Sequence, residues 1–468
     1  MMKETLYGNL ETYGQQHLLD FWDDLDEQQR ESLAAEIRGI DFELIGSLYA
    51  RRGETGGAEE IQALAERATG APSFRLGDPR NRFSPEEARR HGAEALGAGH
   101  VGVSLVAGGQ GSRLGFDHPK GMYPIGPVSG NTLFQILVEK LLATSRRHGA
   151  PIPLYLMTSP VTHAETVDFL ARHDRFGLPD DDLAIFCQAT MPAVDGATGN
   201  VLLAERGRVA LSPDGHGGML AALARSGCLA DMRRRGVRHL FHFQVDNPLV
   251  EVCSPEFLGY HLLAGSEMST QVIAKRTPLD RVGNVVAVDG RLRVIEYSDL
   301  PEHVAEKRKP DGSLFLSAGS IAVHAIDVGF LEQAAATADA LPFHLAHKRV
   351  KHIDSSGGMI EPEEPNALKF ERFIFDLMPS ASNAIVVEVD AARHFAPLKN
   401  ASEAADEDTP ETVRAQMAAL YTEWLRLAGA EVAEGVAVEI SPLFALDAEE
   451  LAEKIEPGPP VTKPTYFS

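Results

Sequence analysis

The chain has 468 residues, 44% of them hydrophobic and 24% charged, and a formal net charge of −23 that argues against nucleic acid as a general partner. It has no run of roughly eighteen apolar residues and no apolar signal core near its start, so we expect no membrane span, no export and a cytoplasmic location. Three scattered cysteines argue against a disulfide framework or a cysteine zinc site. The size predicts two or three domains and leaves the oligomeric state open.

Residues 1–95 are predicted to form a helical N-terminal lobe, because apolar residues recur there at helical spacing. Residues 67–85 are rich in glycine, proline and polar residues and are predicted to be a connection. Over 96–389 strands and helices alternate, which indicates a mostly parallel sheet flanked by helices. The clearest strands are 101–106, 153–159 and 239–246, and the clearest helices are 132–147, 163–173 and 218–227.

Toward the C-terminus the pattern changes twice. Between 268 and 298 it turns antiparallel, with two alternating strands around Asp289-Gly290, a strong hairpin signal. An acidic connection then leads to a helix over 411–427 and a short β-rich tail, so 390–468 is predicted to be a small α+β subdomain. The predicted fold class is α/β, a Rossmann-like sheet between this subdomain and the helical lobe.

The segment LVAGGQGSRLGFDHPK, residues 105–120, is the most informative of the chain. Gly108 and Gly109 follow an apolar strand, so backbone N–H groups can approach a phosphate without Cβ interference. Arg113 and Lys120 add the positive charge that a triphosphate needs. The spacing is neither that of a Walker loop nor that of a dinucleotide fingerprint. We therefore predict a phosphate-binding loop of another kind.

Three further segments contain candidate site residues. Asp246 ends an apolar strand, where a carboxylate projects into the ligand crevice of a parallel sheet and suits Mg²⁺. Residues 212–220, SPDGHGGML, place a glycine turn before a helix, where an anion or a nucleobase can lie against the backbone. His216 in this turn is equally well explained as a surface residue. Lys399 follows a strand, and its position alone favours an ordinary solvated lysine.

Together and in this order, these segments resemble the eukaryotic-type UDP-N-acetylglucosamine pyrophosphorylases within the wider UDP-sugar pyrophosphorylase family (UDPGP type 1). The matching pieces are LVAGGQGSRLGFDHPKGMYPIG, Gln188-x-x-Met191-Pro192, SPDGHGGM, QVDNPLV, VGNVVAVDGRLRVIEYSDL, LFLSAGSIAVH, LKFERFIFDLM and HFAPLKNA. The resemblance implies a GT-A-like nucleotidyltransferase sheet. It also implies that UTP and a sugar 1-phosphate are converted to a UDP-sugar and pyrophosphate, with Mg²⁺ or Mn²⁺ as cofactor.

The resemblance further implies a role for each candidate residue. Arg113, Lys120 and Lys399 would act on the phosphates, and Asp246 would hold the metal ion. The residues implied for the nucleotide are Gly108, Gly109, Gln188, Gly215 and His216. The residues implied for the sugar are Gly283, Glu296, Tyr297, Ser320, Phe373 and Phe375, with the two phenylalanines flanking the N-acetyl group.

The implied reaction needs no general base, because a sugar 1-phosphate is already an anion that can attack the α-phosphorus of UTP in line and expel pyrophosphate. The obstacle is repulsion between anions, so positioning and charge neutralisation should dominate catalysis.

Two residues depart from the family pattern. His216 stands where an asparagine is expected, as in glucose-specific relatives, and Ser320 replaces an asparagine amide expected to face the sugar. N-acetylglucosamine 1-phosphate is therefore the first-choice substrate, with glucose 1-phosphate or a broad range of sugars as the alternative. A sugar-nucleotide-binding protein without catalysis is the alternative of a different class. The presence of all four residues implied for the phosphates and the metal argues against it.

Overall fold

The computed structural model describes residues 2–53, 56–337, 340–456 and 458–468. The chain divides into two compact units, each made of three separate segments. The smaller unit comprises Met1–Glu60, Gln188–Met219 and Asp339–Ile374. The larger unit comprises Ile61–Cys187, Leu220–Ala338 and Phe375–Ser468. These bounds differ from the contiguous domains 1–95, 96–389 and 390–468 that the sequence predicts.

The larger unit is built on an 11-stranded sheet within the described residues. Its main row of strands is, in order, Ser73–Arg75, Ala384–Val389, Met268–Ala274, Ala318–Asp327, His239–Gln244, Val101–Val106, Leu154–Thr158 and Leu183–Cys187. Neighbouring strands are parallel, except that Ala318–Asp327 is antiparallel to both of its neighbours. The strands outside this row are Thr69–Gly70, Asn284–Val288 and Arg291–Ile295. The predicted α/β class with a mostly parallel sheet is confirmed.

The central strand Val101–Val106 shows why this sheet forms. Its sequence VGVSLV has no polar face, and its first five residues are buried, as expected of a parallel strand covered on both sides. It lies between His239–Gln244 and Leu154–Thr158 and is parallel to both. Because parallel strands end at the same edge of a sheet, the glycine loop and Asp246 emerge side by side.

The predicted hairpin is present. Asn284–Val288 and Arg291–Ile295 pair antiparallel, and both turn residues have positive φ, +52° at Asp289 and +79° at Gly290, as a two-residue hairpin turn requires. The region 268–298, predicted to be antiparallel, is antiparallel only in part. Its first strand, Met268–Ala274, has one antiparallel and one parallel neighbour.

Helices flank the sheet of the larger unit. They are Pro85–Gly97, Leu133–His148, Pro160–Arg172, Cys228–Arg235, Pro255–Leu263, Glu302–Ala305, Val328–Ala335, Ala391–His394, Pro410–Leu427 and Ala448–Lys454, with Gly56–Arg67 and Met219–Arg225 crossing the bounds between units. The helix Leu133–His148 begins after Thr132, whose side chain accepts the Gln135 N–H, and ends at Gly149 with φ +71°. No helix of the described residues is long and apolar enough to cross a membrane.

The C-terminal segment shares the core of the larger unit. Val413, Met417 and Leu425 of the helix Pro410–Leu427 belong to the same buried apolar cluster as Val103 of the central strand. This shared core explains why residues predicted to form a separate subdomain group with the sheet. Beyond the helix, the tail strands Val438–Ile440 and Thr465–Phe467 pair in parallel.

The smaller unit combines N-terminal helices with short strands from later in the chain. The helices are Met2–Thr12, Glu27–Arg38 and Phe42–Ala50, and the strands are Thr190–Pro192, Val194–Asp195, Leu203–Glu205, Arg208–Val209, Leu211–Pro213, His344–Lys348, His352–Ile353, Met359–Ile360 and Ala367–Glu371. Leu10 and Leu33 of the helices share one buried cluster with Val194 and Phe370 of the strands. The predicted N-terminal helices are present, and distant segments complete their core.

Two helices of the larger unit meet so closely that each needs a glycine. These helices are Pro85–Gly97 and Pro255–Leu263. A Cβ at Gly92 would lie 1.9 Å from the Pro255 carbonyl oxygen, and a Cβ at Gly259 would lie 1.8 Å from the Ala88 carbonyl oxygen. Both distances are much shorter than a van der Waals contact, and the backbone oxygens cannot move aside. Alanine at either position would therefore force the helices apart.

We expect Gly92→Ala and Gly259→Ala each to lower the free energy of unfolding by on the order of 1–3 kcal/mol, measured by urea denaturation. Gly46→Ala is the matched control, since Gly46 is an exposed helical glycine whose added Cβ would meet nothing within 4 Å. This control should be neutral or stabilising by up to about 1 kcal/mol. Unchanged stability in both core variants would contradict the close approach of the two helices.

Candidate active site

The glycine loop is closed by its own backbone. The Lys120 N–H donates to the Gly109 carbonyl at 3.0 Å, and the Gly111 N–H donates to the His118 carbonyl at 2.8 Å. A Cβ at Gly111 would lie 2.7 Å from Phe116, so the turn requires glycine there. Gly109 is different: it is exposed, and an added Cβ would meet nothing within 4 Å. The backbone at Gly109 is therefore accessible to a ligand.

The other two predicted residues of this loop differ in their surroundings. The Gly108 carbonyl accepts a hydrogen bond from Ser159 Oγ at 2.7 Å, which ties the start of the loop to the end of the neighbouring strand. Arg113 is exposed on the 3₁₀ turn Ser112–Leu114. The loop thus has a fixed base and an outward-facing cation.

Asp246 lies at the carboxyl end of its strand, as predicted, and is half-buried. The next residue, Asn247, is buried and connects this strand end to a distant segment. Its Nδ2 donates to the His394 carbonyl at 2.8 Å, and its Oδ1 accepts the Ala396 N–H at 3.0 Å. Since that segment leads to Lys399, the Asn247 side chain sets the spacing between two predicted site residues. Sequence analysis missed it, because a strand-ending asparagine looks like an ordinary turn residue.

The backbone of Leu398 joins three of the predicted residues. Its N–H donates to the backbone carbonyl of Asp246 at 2.9 Å, and its own carbonyl accepts from Lys120 Nζ at 3.1 Å. Lys399 follows directly along the chain. The structure therefore brings together two lysines and one aspartate from three distant segments, and we call this set the Leu398 junction.

Besides the two phenylalanines, four residues are predicted for the sugar, and three of these lie together in the larger unit. The Ser320 N–H donates to the Gly283 carbonyl at 2.8 Å. A Cβ at Gly283 would lie 3.2 Å from Glu296 Oε1, so the carboxylate approaches this backbone closely. The side chain of Tyr297 is instead at the surface, 48% exposed.

A buried lysine that sequence analysis missed lies beside this group. Lys275 is 6% exposed, its Nζ donates to Asn284 Oδ1 at 2.5 Å, and burial lowers its pKa. A Cβ at Gly319, the neighbour of Ser320, would lie 3.2 Å from Lys275 Cγ. The available signal was a lysine placed directly after the strand Met268–Ala274.

Of the five residues predicted for the nucleotide, Gly108 and Gly109 belong to the larger unit and the other three to the smaller unit. Gln188 is buried, and its Nε2 lies 3.4 Å both from Asp214 Oδ1 and from the Gly215 carbonyl. Asp214 is fully buried and pairs with Arg372 at 2.6 Å. Burial raises the pKa of Asp214, and the Arg372 guanidinium opposes this rise. Gly215 has φ +81°, and a Cβ there would lie 2.4 Å from the Arg372 carbonyl oxygen. The Asp214–Arg372 pair, also missed from sequence, thus holds the glycine turn.

His216 and Phe373 stack in the same unit, with ring centroids 5.2 Å apart. His216 Nδ1 accepts the Ile374 N–H at 3.3 Å, which assigns the ring proton to Nε2. Burial, and then the charge of His344, lower the pKa of His216 to about 4, so its ring is neutral at pH 7. Phe373 is half-buried, whereas Phe375, assigned to the larger unit, is buried.

A cavity of about 560 Å³ in the larger unit lies apart from these residues. It is lined by the segment that follows Asp246 and by Lys140, whose Nζ donates to the carbonyls of Pro248 at 2.6 Å and Val250 at 2.9 Å. Burial lowers the pKa of Lys140 to about 8. None of the predicted site residues lines this cavity.

The donor set for a metal ion is small. In the part of the chain that the structure describes, no group of three or more His, Cys, Asp or Glu residues could hold one. Burial raises the pKa of Asp408, and the nearby charge of Asp246 adds to this rise. One anchoring carboxylate fits Mg²⁺ in a nucleotide site, because phosphate oxygens and water supply most of its ligands there.

Comparison with known proteins identifies the family of the chain. Residues 79–423 match the family model described as UTP–glucose-1-phosphate uridylyltransferase. The chain belongs to this family. The match includes every predicted site residue, from the glycine loop to Lys399.

Relatives and solved structures cover most of the chain. It is 36% identical over 430 residues to a UDP-N-acetylhexosamine pyrophosphorylase-like protein 1 of Xenopus tropicalis, covering 90% of this chain and 84% of that protein. It is 38% identical over 371 residues to the UDP-N-acetylglucosamine pyrophosphorylase of Saccharomyces cerevisiae, covering 78% of each. Its fold is similar to that of the Trypanosoma brucei uridine diphosphate N-acetylglucosamine pyrophosphorylase, with a TM-score of 0.81 at 24% identity, covering 100% and 98% of the two chains.

The pKa of His216 predicts an acid-dependent loss of stability. Below pH 6.5 the unfolded chain takes up a proton at this histidine, while the folded chain resists protonation until about pH 4. The free energy of unfolding should therefore fall as the pH drops through this window, by roughly 3 kcal/mol in total from this one residue. Urea denaturation from pH 7 to 4.5 should show a shallower fall in His216→Gln than in the parent. Parallel pH profiles would contradict the burial of the neutral ring.

Proposed function

We propose that this protein transfers the uridylyl group of UTP to N-acetylglucosamine 1-phosphate and releases pyrophosphate. The observation that carries the proposal is the Leu398 junction, which gathers Lys120, Asp246 and Lys399 in a chain of the uridylyltransferase family. Two cations and a metal-binding carboxylate are what the transfer of a nucleotidyl group between anions needs. The relatives named for N-acetylhexosamine and N-acetylglucosamine support the choice of sugar.

The roles follow from charge and position. The sugar 1-phosphate attacks the α-phosphorus of UTP, the bond from the α-phosphorus to the bridging oxygen of the leaving diphosphate breaks, and no proton need move. Lys399 and Lys120 would neutralise the charge that gathers at the reacting phosphates, and the exposed Arg113 would reach the outer phosphates. Asp246 would hold Mg²⁺, which supplies further neutralisation when bound.

The nucleobase would be read by Gln188. Its Nε2 faces Asp214 and the Gly215 carbonyl, so its Oε1 is the group left to accept the N3–H of uracil. The glycine turn at Gly215 would lie against the base. Purines should be poor substrates, because this turn would leave little room beside a pyrimidine.

The residues predicted for the sugar favour two different substrates. The Phe373 ring, held by His216, supports an apolar wall for an acetamido methyl. Ser320 has a shorter reach than an asparagine amide and favours activity with glucose 1-phosphate as well. An apolar contact with one methyl is worth roughly 1 kcal/mol, whereas an unmet polar group in a closed pocket costs about 1–3 kcal/mol. We therefore propose activity with both sugars and a modest preference for N-acetylglucosamine 1-phosphate, in the cytoplasm.

The direct test is pyrophosphate release from UTP with a panel of sugar 1-phosphates, and with ATP in place of UTP. Multiple turnovers with UTP and N-acetylglucosamine 1-phosphate support the proposal. Binding of UDP-N-acetylglucosamine without turnover would favour a non-catalytic sugar-nucleotide-binding protein, and equal rates with ATP would contradict the role of Gln188.

Asp246→Asn should lower kcat/KM on the order of 10²-fold, because Mg²⁺ loses its anionic anchor at a site where charge develops. EDTA should abolish turnover in the parent, and added Mg²⁺, or Mn²⁺ in its place, should restore it. The matched control is Asp181→Asn, an exposed carboxylate of the same unit, which should leave turnover unchanged. Full activity of Asp246→Asn would remove this residue from the site.

Ser320→Asn should raise the preference for N-acetylglucosamine 1-phosphate over glucose 1-phosphate by about tenfold, because a restored amide is worth on the order of 1–1.5 kcal/mol. The measurement is kcat/KM for both sugars in the parent and the variant. Ser298→Asn, at an exposed serine of the same unit, is the control. A strong glucose preference that Ser320→Asn leaves untouched would show that another residue sets sugar choice.

A further inference from the structure

One acidic residue in the segment after Lys399 differs from its neighbours. Glu403, Asp406 and Glu407 are exposed, whereas Asp408 is half-buried. Asp408 also has φ +61°, in the left-handed region that non-glycine residues seldom adopt. Such a backbone persists where the surrounding contacts impose it, so the contacts of Asp408 indicate what the conformation achieves.

Both the backbone and the side chain of Asp408 face Lys399. The Asp408 carbonyl accepts the N–H groups of Lys399 at 2.8 Å and of Asn400 at 3.0 Å. Its carboxylate Oδ2 lies 3.9 Å from Lys399 Nζ, and the ring of Phe395 lies 5.5 Å from the same ammonium. The left-handed turn at Asp408 therefore folds the carboxylate back onto the lysine of the Leu398 junction.

The position of Asp408 is fixed by a rigid element. Thr409, the next residue, caps the helix Pro410–Leu427 through a hydrogen bond from the Thr412 N–H. Val413 and Met417 anchor this helix in the core of the larger unit. The carboxylate is thus held by the helix start, while Lys399 sits on a loop and has a long side chain.

We propose that Asp408 is a positioning residue for Lys399, holding its ammonium at the Leu398 junction until UTP phosphates replace the carboxylate. This inference rests on the proposed function. A contact of 3.9 Å between side chains 37% and 34% exposed is a weak ion pair, which phosphate oxygens can displace. Asp408 therefore orients Lys399 and also competes with the nucleotide for it.

Asp408→Asn tests both consequences, because asparagine tolerates the left-handed backbone and removes only the charge. We expect kcat to fall only about three- to fivefold, because a weak and partly exposed ion pair holds Lys399 loosely, and the KM for UTP to fall because a competing carboxylate is gone. Asp406→Asn makes the same change in charge at an exposed position of the same segment and should leave both constants unchanged. A rise in KM with kcat intact would overturn the positioning role.

A double-mutant cycle separates positioning from a merely structural role. If Asp408 acts through Lys399, then Asp408→Asn should change kcat by less than about twofold in the Lys399→Ala background. If Asp408 only stabilises the start of the helix, the losses should multiply in the double variant, and that outcome would overturn the proposal.

A second readout needs no substrate and keeps the inference distinguishable from the proposed function. Acylation of Lys399 by acetic anhydride, followed by mass spectrometry with exposed Lys309 as internal reference, should be faster in Asp408→Asn than in the parent. Equal Lys399 labelling would overturn the ion pair even in an active enzyme. Absence of pyrophosphate release by the parent would contradict the proposed function, while faster labelling in Asp408→Asn would still support the pairing.

Discussion

The site depends on the hydrogen bonds of one backbone unit, that of Leu398. Its N–H and carbonyl groups bind the strand end at Asp246 and the ammonium of Lys120, and they place Lys399 next to both. Neither hydrogen bond involves the Leu398 side chain. The site therefore depends on the course of the backbone at this residue. Asn247 reinforces it by holding the approaching segment at His394 and Ala396. If this path shifts, Lys120, Asp246 and Lys399 separate together.

Local arrangement explains how a chain of net charge −23 can bind two polyanions. The two lysines of the Leu398 junction each have a partner that fixes their position: the Leu398 carbonyl for Lys120 and Asp408 for Lys399. Charges that are held in place before the substrates arrive need no reorganisation during the reaction. This preorganisation is the source of the catalytic effect of such sites. Negative charges more than about 10 Å from the junction are largely screened by salt.

The sequence predicted what depends on local patterns. The apolar strand Val101–Val106, the Asp289-Gly290 hairpin and the strand end at Asp246 each follow from a few neighbouring residues. What it missed depends on distant contacts. The burial of Lys275 and the partners of Asn247 exist only once separate strands are assembled. The bounds of the two units were missed for the same reason, because the N-terminal helices share a core with strands near 194 and 370.

The account's central claim is that the reacting phosphates lie at the Leu398 junction. A crystal structure of the protein with UDP-N-acetylglucosamine and Mg²⁺ tests it most directly. We predict the diphosphate within hydrogen-bonding distance of Lys399 Nζ and the metal ion on Asp246. A diphosphate bound elsewhere, such as in the cavity lined by Lys140, would contradict the account.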